Sequence, residues 1–416
     1  MDNIIYKYIF SKKAEAIKNQ AESIIKKSND TYELYSDAII LPAKNFNDYD
    51  VSHGRGGVVD SNGEYIKASF TRARVDGKYE PEEFDYSDSK VVYCGYFHKA
   101  WGHFLTEVVS RLWYVLKDDK TVDYYVFIDD IDGKKQFTGN YYEFFRLLGI
   151  EKKVILLNKP TKFKEVVLPF NGFDYGHYYT DQFVKMYEYI VTKGISLYKG
   201  EAYKNVFFSK RRQEISIMSN LNEKFIDKYF EKNGYKIFYP EQLSLIETIG
   251  IMQNAKYFAG ISSSLAHNQL FGHSDQTMIS VEKQAFYNPY QVFVAKITGC
   301  KCVFVDACRH IFTVNASGPF IFDYTEHMDK FALDYNMSKS KPMSNLKYRR
   351  LFKKYLIYYF NFDCVMPPDY MYRQYVLDMS REMYDDTIEK GKIFHMSLYQ
   401  RMIVRLKKEI LKLKNR

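Results

Sequence analysis

In YKIFYPEQLSLIETIGIMQNAKYFAGISSSLAHNQLFG, residues 235–272, apolar runs of two different periods alternate. YKIFYP is short, apolar and β-rich and reads as a buried strand, and KYFAG reads the same way. Between them SLIETIGIMQNA has helical spacing and opens on Ser244 with Glu247 three residues later, the S-x-x-E pattern in which two orphan backbone donors are satisfied reciprocally. LAHNQLFG follows as a second helix. Strand, helix, strand, helix at this spacing calls for parallel strands joined by crossover helices.

Working outward, NVFFS (205–209) and TMISVE (277–282) add strands, and NEKFIDKYFEKNG (222–234) adds a helix stopped by Gly234. An earlier series reads likewise: strand VVYCGY (91–96), a helix from about Gly102, strand YYVFID (124–129), helix YYEFFRLLG (141–149), then KVILLN and EVVLP. A helical stretch, DQFVKMYEYIVTKGISLY, separates the two series. The expected fold class is α/β, with Rossmann-like domains over 91–195 and 200–335 facing a cleft. A weakly patterned segment, 1–90, precedes them, with a helical start and then a loop or hairpin around SHGRGGVVDSNGEY; a basic helical extension, 340–416, follows.

At 416 residues the chain exceeds what one ordinary core supports. With 46% hydrophobic and 27% charged residues it is globular, which excludes a disordered chain. The 39 tyrosines and 32 phenylalanines supply aromatic surface for cores or for sugar-like ligands. No apolar run reaches the roughly 18 residues of a membrane span, and MDNIIYKYIFSKKAEAIKN lacks the apolar core of a signal peptide, so the expected compartment is the cytoplasm. Five cysteines, an odd number in a long chain, fit reduced thiols. Cys300, Cys302, Cys308 and His310 lack paired C-x2-C spacing, and the VFV between them reads as a strand, so no zinc site is expected there. The positive charge belongs to the tail: residues 339–416 hold 18 Lys and Arg against 8 Asp and Glu. Its stretches LKYRRLFKKYLIYYF and YQRMIVRLKKEILKLKNR are amphipathic and basic, a pattern that suits either an anionic membrane surface or packing on the protein. No RNP, KH or zinc-knuckle motif accompanies the charge, so nucleic acid is not an expected partner.

Three stretches carry candidate chemistry. In YFHKAWGHFLTEVVSRLWYVL (96–116) a helix puts Phe104, Val108, Leu112, Val115 and Leu116 on one face and His103, Glu107 and Arg111 on another. Placed just beyond a strand's carboxyl end, that polar stripe faces a cleft. There His103 or Glu107 takes a proton from a hydroxyl nucleophile and Arg111 orients Glu107. The bland alternative is a solvated face with a weak Glu107–Arg111 pair. In YFAGISSSLAHNQLF, the turn Gly260, Ser262, Ser263, Ser264 opens a helix whose backbone donors suit a diphosphate, and Lys210, Arg211 and Arg212 follow another strand of the same sheet. Glu282, at the end of TMISVE, is placed to accept from ribose hydroxyls. In YYVFIDDIDGKK, Asp129, Asp130 and Asp132 form either a strand-ending turn or a divalent-cation site.

On His103, Phe104, Leu105, Glu107 and Arg111, on Ser209–Arg212 followed by Asn220, and on the segment GYKIFYPEQLSLIETIGIMQNAKYFAGISSSLAHNQLF, the chain resembles glycosyltransferase family 61, including its capsular-polysaccharide members. The likeness covers about residues 90–310. Many members carry Gly-x-His-Gly-Ala where this chain has Gly260, Ile261, Ser262, Ser263 and Ser264, so the role of that histidine is either lost or moved, with His267 as its candidate place. The resemblance implies a GT-B-like, metal-independent, inverting transferase with no cofactor. Its donor is UDP-linked, such as UDP-xylose or UDP-N-acetylglucosamine, and its acceptor a surface or capsular glycan or a glycolipid. Lys210, Arg211, Arg212, Gly260, Ser262, Ser263, Ser264, His267, Asn268 and Glu282 fall on the donor side and His98, Trp101 and Arg111 on the acceptor side. The enzyme is then peripheral on the inner face of a membrane. Two alternatives stand beside it: a metal-dependent GT-A-like transferase using Asp130 and Asp132 with Mn2+ or Mg2+, and a non-enzymatic glycan- or membrane-binding scaffold.

Overall fold

The computed structural model describes residues 3–44, 55–70, 77–128, 137–213, 220–284, 287–309 and 319–361. Two six-stranded sheets organise it. The first contains β2 (Tyr32–Lys44), β3 (Arg55–Val59), β4 (Asp85–Tyr96), β5 (Tyr124–Ile128), β6 (Val154–Leu157) and β7 (Thr161–Pro169). Its order is β3-β2-β7-β4-β5-β6; β7, β4, β5 and β6 run parallel, while β2 is antiparallel to both β3 and β7. The second contains β1 (Ile4–Tyr8), β8 (Asn205–Phe208), β9 (Lys236–Phe238), β10 (Tyr257–Ile261), β11 (Thr277–Glu282) and β12 (Lys301–Asp306). It is wholly parallel, in the order β1-β12-β11-β10-β8-β9.

The four inner strands of the second sheet, β8, β10, β11 and β12, are buried on both faces, as a sheet covered on both sides requires. Val206 and Phe208 join the cluster shared with the first sheet, whereas Phe207 joins the opposite one, the period of two expected of a strand. The outer cluster is completed by Ile226 and Phe230 of α4 (Glu223–Lys232), Met328 and Phe331 of α7 (Glu326–Asp334), and Tyr348, Phe352 and Tyr355 of α8 (Asn345–Asn361). The inner cluster runs without a break from Val92, Cys94 and Phe127 of the first sheet to Phe208, Phe258 and Phe304 of the second. Between them lie α1 (Ser11–Ser23), α2 (Asn140–Leu148), α3 (Asp181–Leu197), α5 (Leu245–Asn254) and α6 (Pro289–Thr298). Gly149 ends α2 at φ +73°, a left-handed position that favours glycine. Ser244 and Glu247 close the expected reciprocal cap on α5, with Glu247 N donating to Ser244 Oγ at 3.2 Å and Ser244 N to Glu247 Oε2 at 2.8 Å.

Residues 1–90 do not stand apart from the sheets. β1 extends the second sheet beside β12, and β2 and β3 form an edge of the first. α1 binds the N-terminal segment to the second sheet through a buried charge pair. Lys13 Nζ contacts Asp306 Oδ1 and donates to the Gln284 carbonyl at 2.8 Å, and both charged side chains are fully buried. Asp306 also accepts from Phe10 N at 2.9 Å.

The segment expected to be one helix from Gly102 is not one. An α-turn at Trp101–His103 passes into a π-helix at Phe104–Val108, shown by Val109 N donating to the Phe104 carbonyl five residues back at 3.2 Å, and then into a 3-10 helix at Leu112–Lys117. A wide turn carries more residues than 3.6, so it rotates whatever follows off the stripe. Arg111 is therefore not beside Glu107. It is 2% exposed, lies over the Tyr93 ring and donates from Nη2 to the carbonyls of Ala68 at 2.8 Å and Phe70 at 3.2 Å. Its expected roles, orienting Glu107 and facing an acceptor, are corrected accordingly.

Among the described residues no helix is long and apolar enough to cross a membrane. The LKYRRLFKKYLIYYF stretch lies in α8, which buries Tyr348, Phe352 and Tyr355 on the protein and exposes Lys347, Arg349, Arg350, Lys353 and Lys354. The terminal YQRMIVRLKKEILKLKNR, the trio Asp129, Asp130 and Asp132, and His310 lie outside the described residues. The VFV between the cysteines is strand β12, and Cys300, Cys302 and Cys308 are buried thiols.

Candidate active site

In chain order the strands β8 to β12 are arranged second, first, third, fourth, fifth, so the order reverses between β8 and β10. In open α/β sheets ligands bind in the crevice at the carboxyl ends of the strands flanking such a reversal. Phe208 of β8 pairs with Gly260 of β10, so Ser209–Arg212 and Ile261–Ser264 leave the sheet side by side at that crevice. The basic run and the serine turn, singled out separately in the sequence, meet there.

Lys210 is half-buried, and burial lowers its pKa against the pull of Glu223 and Glu241. Arg211 donates from Nε to Asp227 Oδ2 and from Nη2 to the Tyr239 hydroxyl, both at 2.7 Å. Arg212 stacks 3.9 Å from the Tyr239 ring centroid and donates to Gln242 Oε1 at 2.7 Å. The serine turn is braced from α6: Gln291 Nε2 donates to the Ser263 carbonyl at 3.1 Å, and Ser262 Oγ to Gln291 Oε1 at 3.3 Å. Ser263 Oγ caps the 3-10 helix Ser264–Phe271 by accepting from Leu265 N at 3.3 Å. A side chain at Gly260 meets only ordinary contacts, so sterics do not demand glycine there.

Two charged groups at this edge went unnoticed in the sequence. Lys283, one residue beyond β11, is buried with its ammonium 4.3 Å from the Phe320 ring centroid. Burial, then the neighbouring Lys210, pushes its pKa down to about 7. Glu223, at the first position of α4, is buried, accepts from Asn220 Nδ2 at 2.8 Å, and is pushed up to about 7, chiefly by burial. The only signal for Lys283 was its place after TMISVE. Glu282, expected to meet ribose, is instead fully buried, accepts from Ser280 Oγ at 2.7 Å, and interacts electrostatically with Lys13 and Asp306. It supports the sheet edge from within.

The stretch Trp101–Val108, expected on the acceptor side, packs directly on this edge. Trp101 Nε1 donates to Asn268 Oδ1 at 3.0 Å. Gly102 lies so close to the turn that an added Cβ meets His267 Nδ1 at 2.7 Å and Ser264 Cβ at 2.8 Å. His267 is buried against Gly102 and Tyr290, and burial pushes its imidazole down to about 4, which leaves it neutral near pH 7. One turn on, His103 Nδ1 and Glu107 Oε2 are 2.5 Å apart, and the Tyr290 hydroxyl of α6 donates to Glu107 Oε1 at 2.7 Å. His98 sits edge-on to His103 with ring centroids 5.1 Å apart. Of the stripe His103, Glu107, Arg111, the first two converge at the crevice and the third does not.

Among the described residues no group of three or more His, Cys, Asp or Glu side chains is placed to hold a metal ion. A carboxylate-held imidazole beside a basic sheet edge suits proton transfer from a hydroxyl next to a departing diphosphate. A comparison with curated proteins gives no match. Residues 101–279, from Trp101 through the serine turn to the start of β11, match the family model described as Glycosyltransferase 61. The chain thus carries a glycosyltransferase family 61 domain and is a glycosyltransferase.

Proposed function

We propose that the enzyme transfers a sugar, with inversion and without a metal, from a UDP-linked donor to a hydroxyl of a surface or capsular glycan or glycolipid, in a GT-B-like arrangement of its two sheets. The observation that carries this reading is the convergence of the His103–Glu107 pair with the β8/β10 crevice through Gly102, Ser264 and His267. In the reaction the acceptor oxygen bonds to the anomeric carbon as its proton passes to the His103–Glu107 pair. The bond from that carbon to the diphosphate breaks, and its electrons leave with UDP. Lys210, Arg211 and the 260–264 turn stabilise the negative charge that develops. Arg211→Ala is expected to lower turnover at least about a hundredfold, measured as UDP release from UDP-xylose or UDP-N-acetylglucosamine. Unchanged turnover in that variant contradicts the diphosphate assignment.

The edge charges add a pH signature. A bound diphosphate favours the charged form of Lys283 and the neutral form of Glu223, so both pKa values rise from about 7. Protons are therefore taken up on binding at and above neutral pH. Calorimetric titration with UDP near pH 7.5 in buffers of different ionisation enthalpy is expected to show this uptake, with less of it in Lys283→Met. An enthalpy independent of the buffer contradicts the placement.

The exposed basic face of α8 (Lys347, Arg349, Arg350, Lys353 and Lys354) supports peripheral attachment to an anionic membrane on the cytoplasmic side.

A further inference from the structure

We infer that Tyr290 is a positioning residue that pins Glu107 so that His103, through Nε2, is the group that takes the acceptor's proton. The inference rests on the transferase reading above and goes beyond it, since that reading leaves the proton to the pair. Tyr290 lies outside the matched segment 101–279, on α6, the helix that also braces the serine turn through Gln291.

Both oxygens of the Glu107 carboxylate are engaged: Oε1 accepts from the Tyr290 hydroxyl at 2.7 Å, and Oε2 faces His103 Nδ1 at 2.5 Å. A carboxylate on Nδ1 holds the imidazole in the tautomer that carries its proton there, which leaves the Nε2 lone pair as acceptor and stabilises the imidazolium once Nε2 is protonated. The exposures agree: the His103 side chain is 41% exposed, while that of Glu107 is 21%. The outer group is the imidazole.

Tyr290 is itself held by rings on every side. Tyr175 lies 4.3 Å away between centroids, His267 5.0 Å and Phe173 6.2 Å. Its hydroxyl is thus fixed by packing from Phe173 and Tyr175 and from the helix after the serine turn, while Glu107, which it steadies, sits on the π-helix following β4, and the base His103 on the α-turn just before it. The titratable groups facing His103 are Glu107, His98 and Tyr290, with neutral His267 behind Tyr290. In the step, the acceptor O–H gives its proton to His103 Nε2, the freed oxygen pair forms the bond to the anomeric carbon, and the anomeric carbon to diphosphate bond breaks with its electrons on UDP.

The test is the pH profile of kcat, read as UDP release from whichever of UDP-xylose and UDP-N-acetylglucosamine the wild type consumes. Tyr290→Phe keeps the ring packing and removes only the hydroxyl. It is expected to lower kcat about tenfold or more, with donor KM changed less than about twofold. It also moves the acidic limb of the profile to higher pH, because a Glu107 that has lost a donor holds the imidazolium more strongly. His103→Gln is expected to abolish that limb, and Glu107→Gln to keep it at lower pH. A limb that survives in His103→Gln and vanishes in Glu107→Gln overturns the inference by making Glu107 the base. So does a Tyr290→Phe profile that superposes on the wild type, and in either case the transferase reading stands. No UDP release from either donor by the wild type overturns that reading and this inference with it.

Discussion

Glu107→Gln is expected to reduce kcat at least about a hundredfold, the usual scale of a lost proton-transfer partner, while the melting temperature stays within a few degrees of the wild type. The substitution preserves the size of the side chain, and its amide still accepts from Tyr290. What it loses is the negative charge facing His103 Nδ1 at 2.5 Å, and with it the stabilisation of the imidazolium formed in the transition state. The packing nearby is carried by Phe104, Leu105 and Val108, all buried, so fold and rate separate cleanly. Steady-state kinetics beside a thermal melt read both. A rate within threefold of wild type, or a variant that no longer melts cooperatively, contradicts the assignment of Glu107 to the reaction rather than to the scaffold.

Lys13→Ala is expected to destabilise the protein by about 3–5 kcal/mol, the cost of leaving a buried charge without its partner. Lys13 and Asp306 are both fully buried, and among the described residues the donation from Phe10 N is what Asp306 keeps without the ammonium. The double variant Lys13→Met with Asp306→Asn keeps an acceptor for Phe10 N and removes both charges, so it is expected to recover most of the loss. Urea denaturation of the single and double variants measures this coupling. Additive losses contradict the pairing of α1 with β12.

That pair marks where the sequence stops being readable. The strands β8, β10, β11 and β12 are short apolar runs between helices with their own caps, so local pattern suffices to place them, as Ser244 and Glu247 show. β1 is a five-residue strand whose partner among the described residues, β12, lies nearly three hundred residues away, and nothing local identifies it. Lys13 reads as a solvated helix residue until Asp306 is seen beside it. The site divides the same way. The basic run and the serine turn were visible because they follow strands, and His103 with Glu107 because four residues separate them. Arg111 was misplaced because a π-turn breaks a stripe drawn at 3.6 residues per turn. Tyr290 and Lys283 meet Glu107 and Lys210 only once the chain is folded, and neither has a motif of its own.

The central claim is a metal-free diphosphate site at the β8/β10 crevice, and the melting temperature with UDP, GDP, CDP and CMP, each in EDTA and again with Mn2+, tests it most directly. Only a ligand that prefers the folded state raises stability. The expected result is a clear rise with UDP in EDTA for the wild type, lost in Lys210→Ala. A rise that requires Mn2+, or none with any nucleotide, contradicts it.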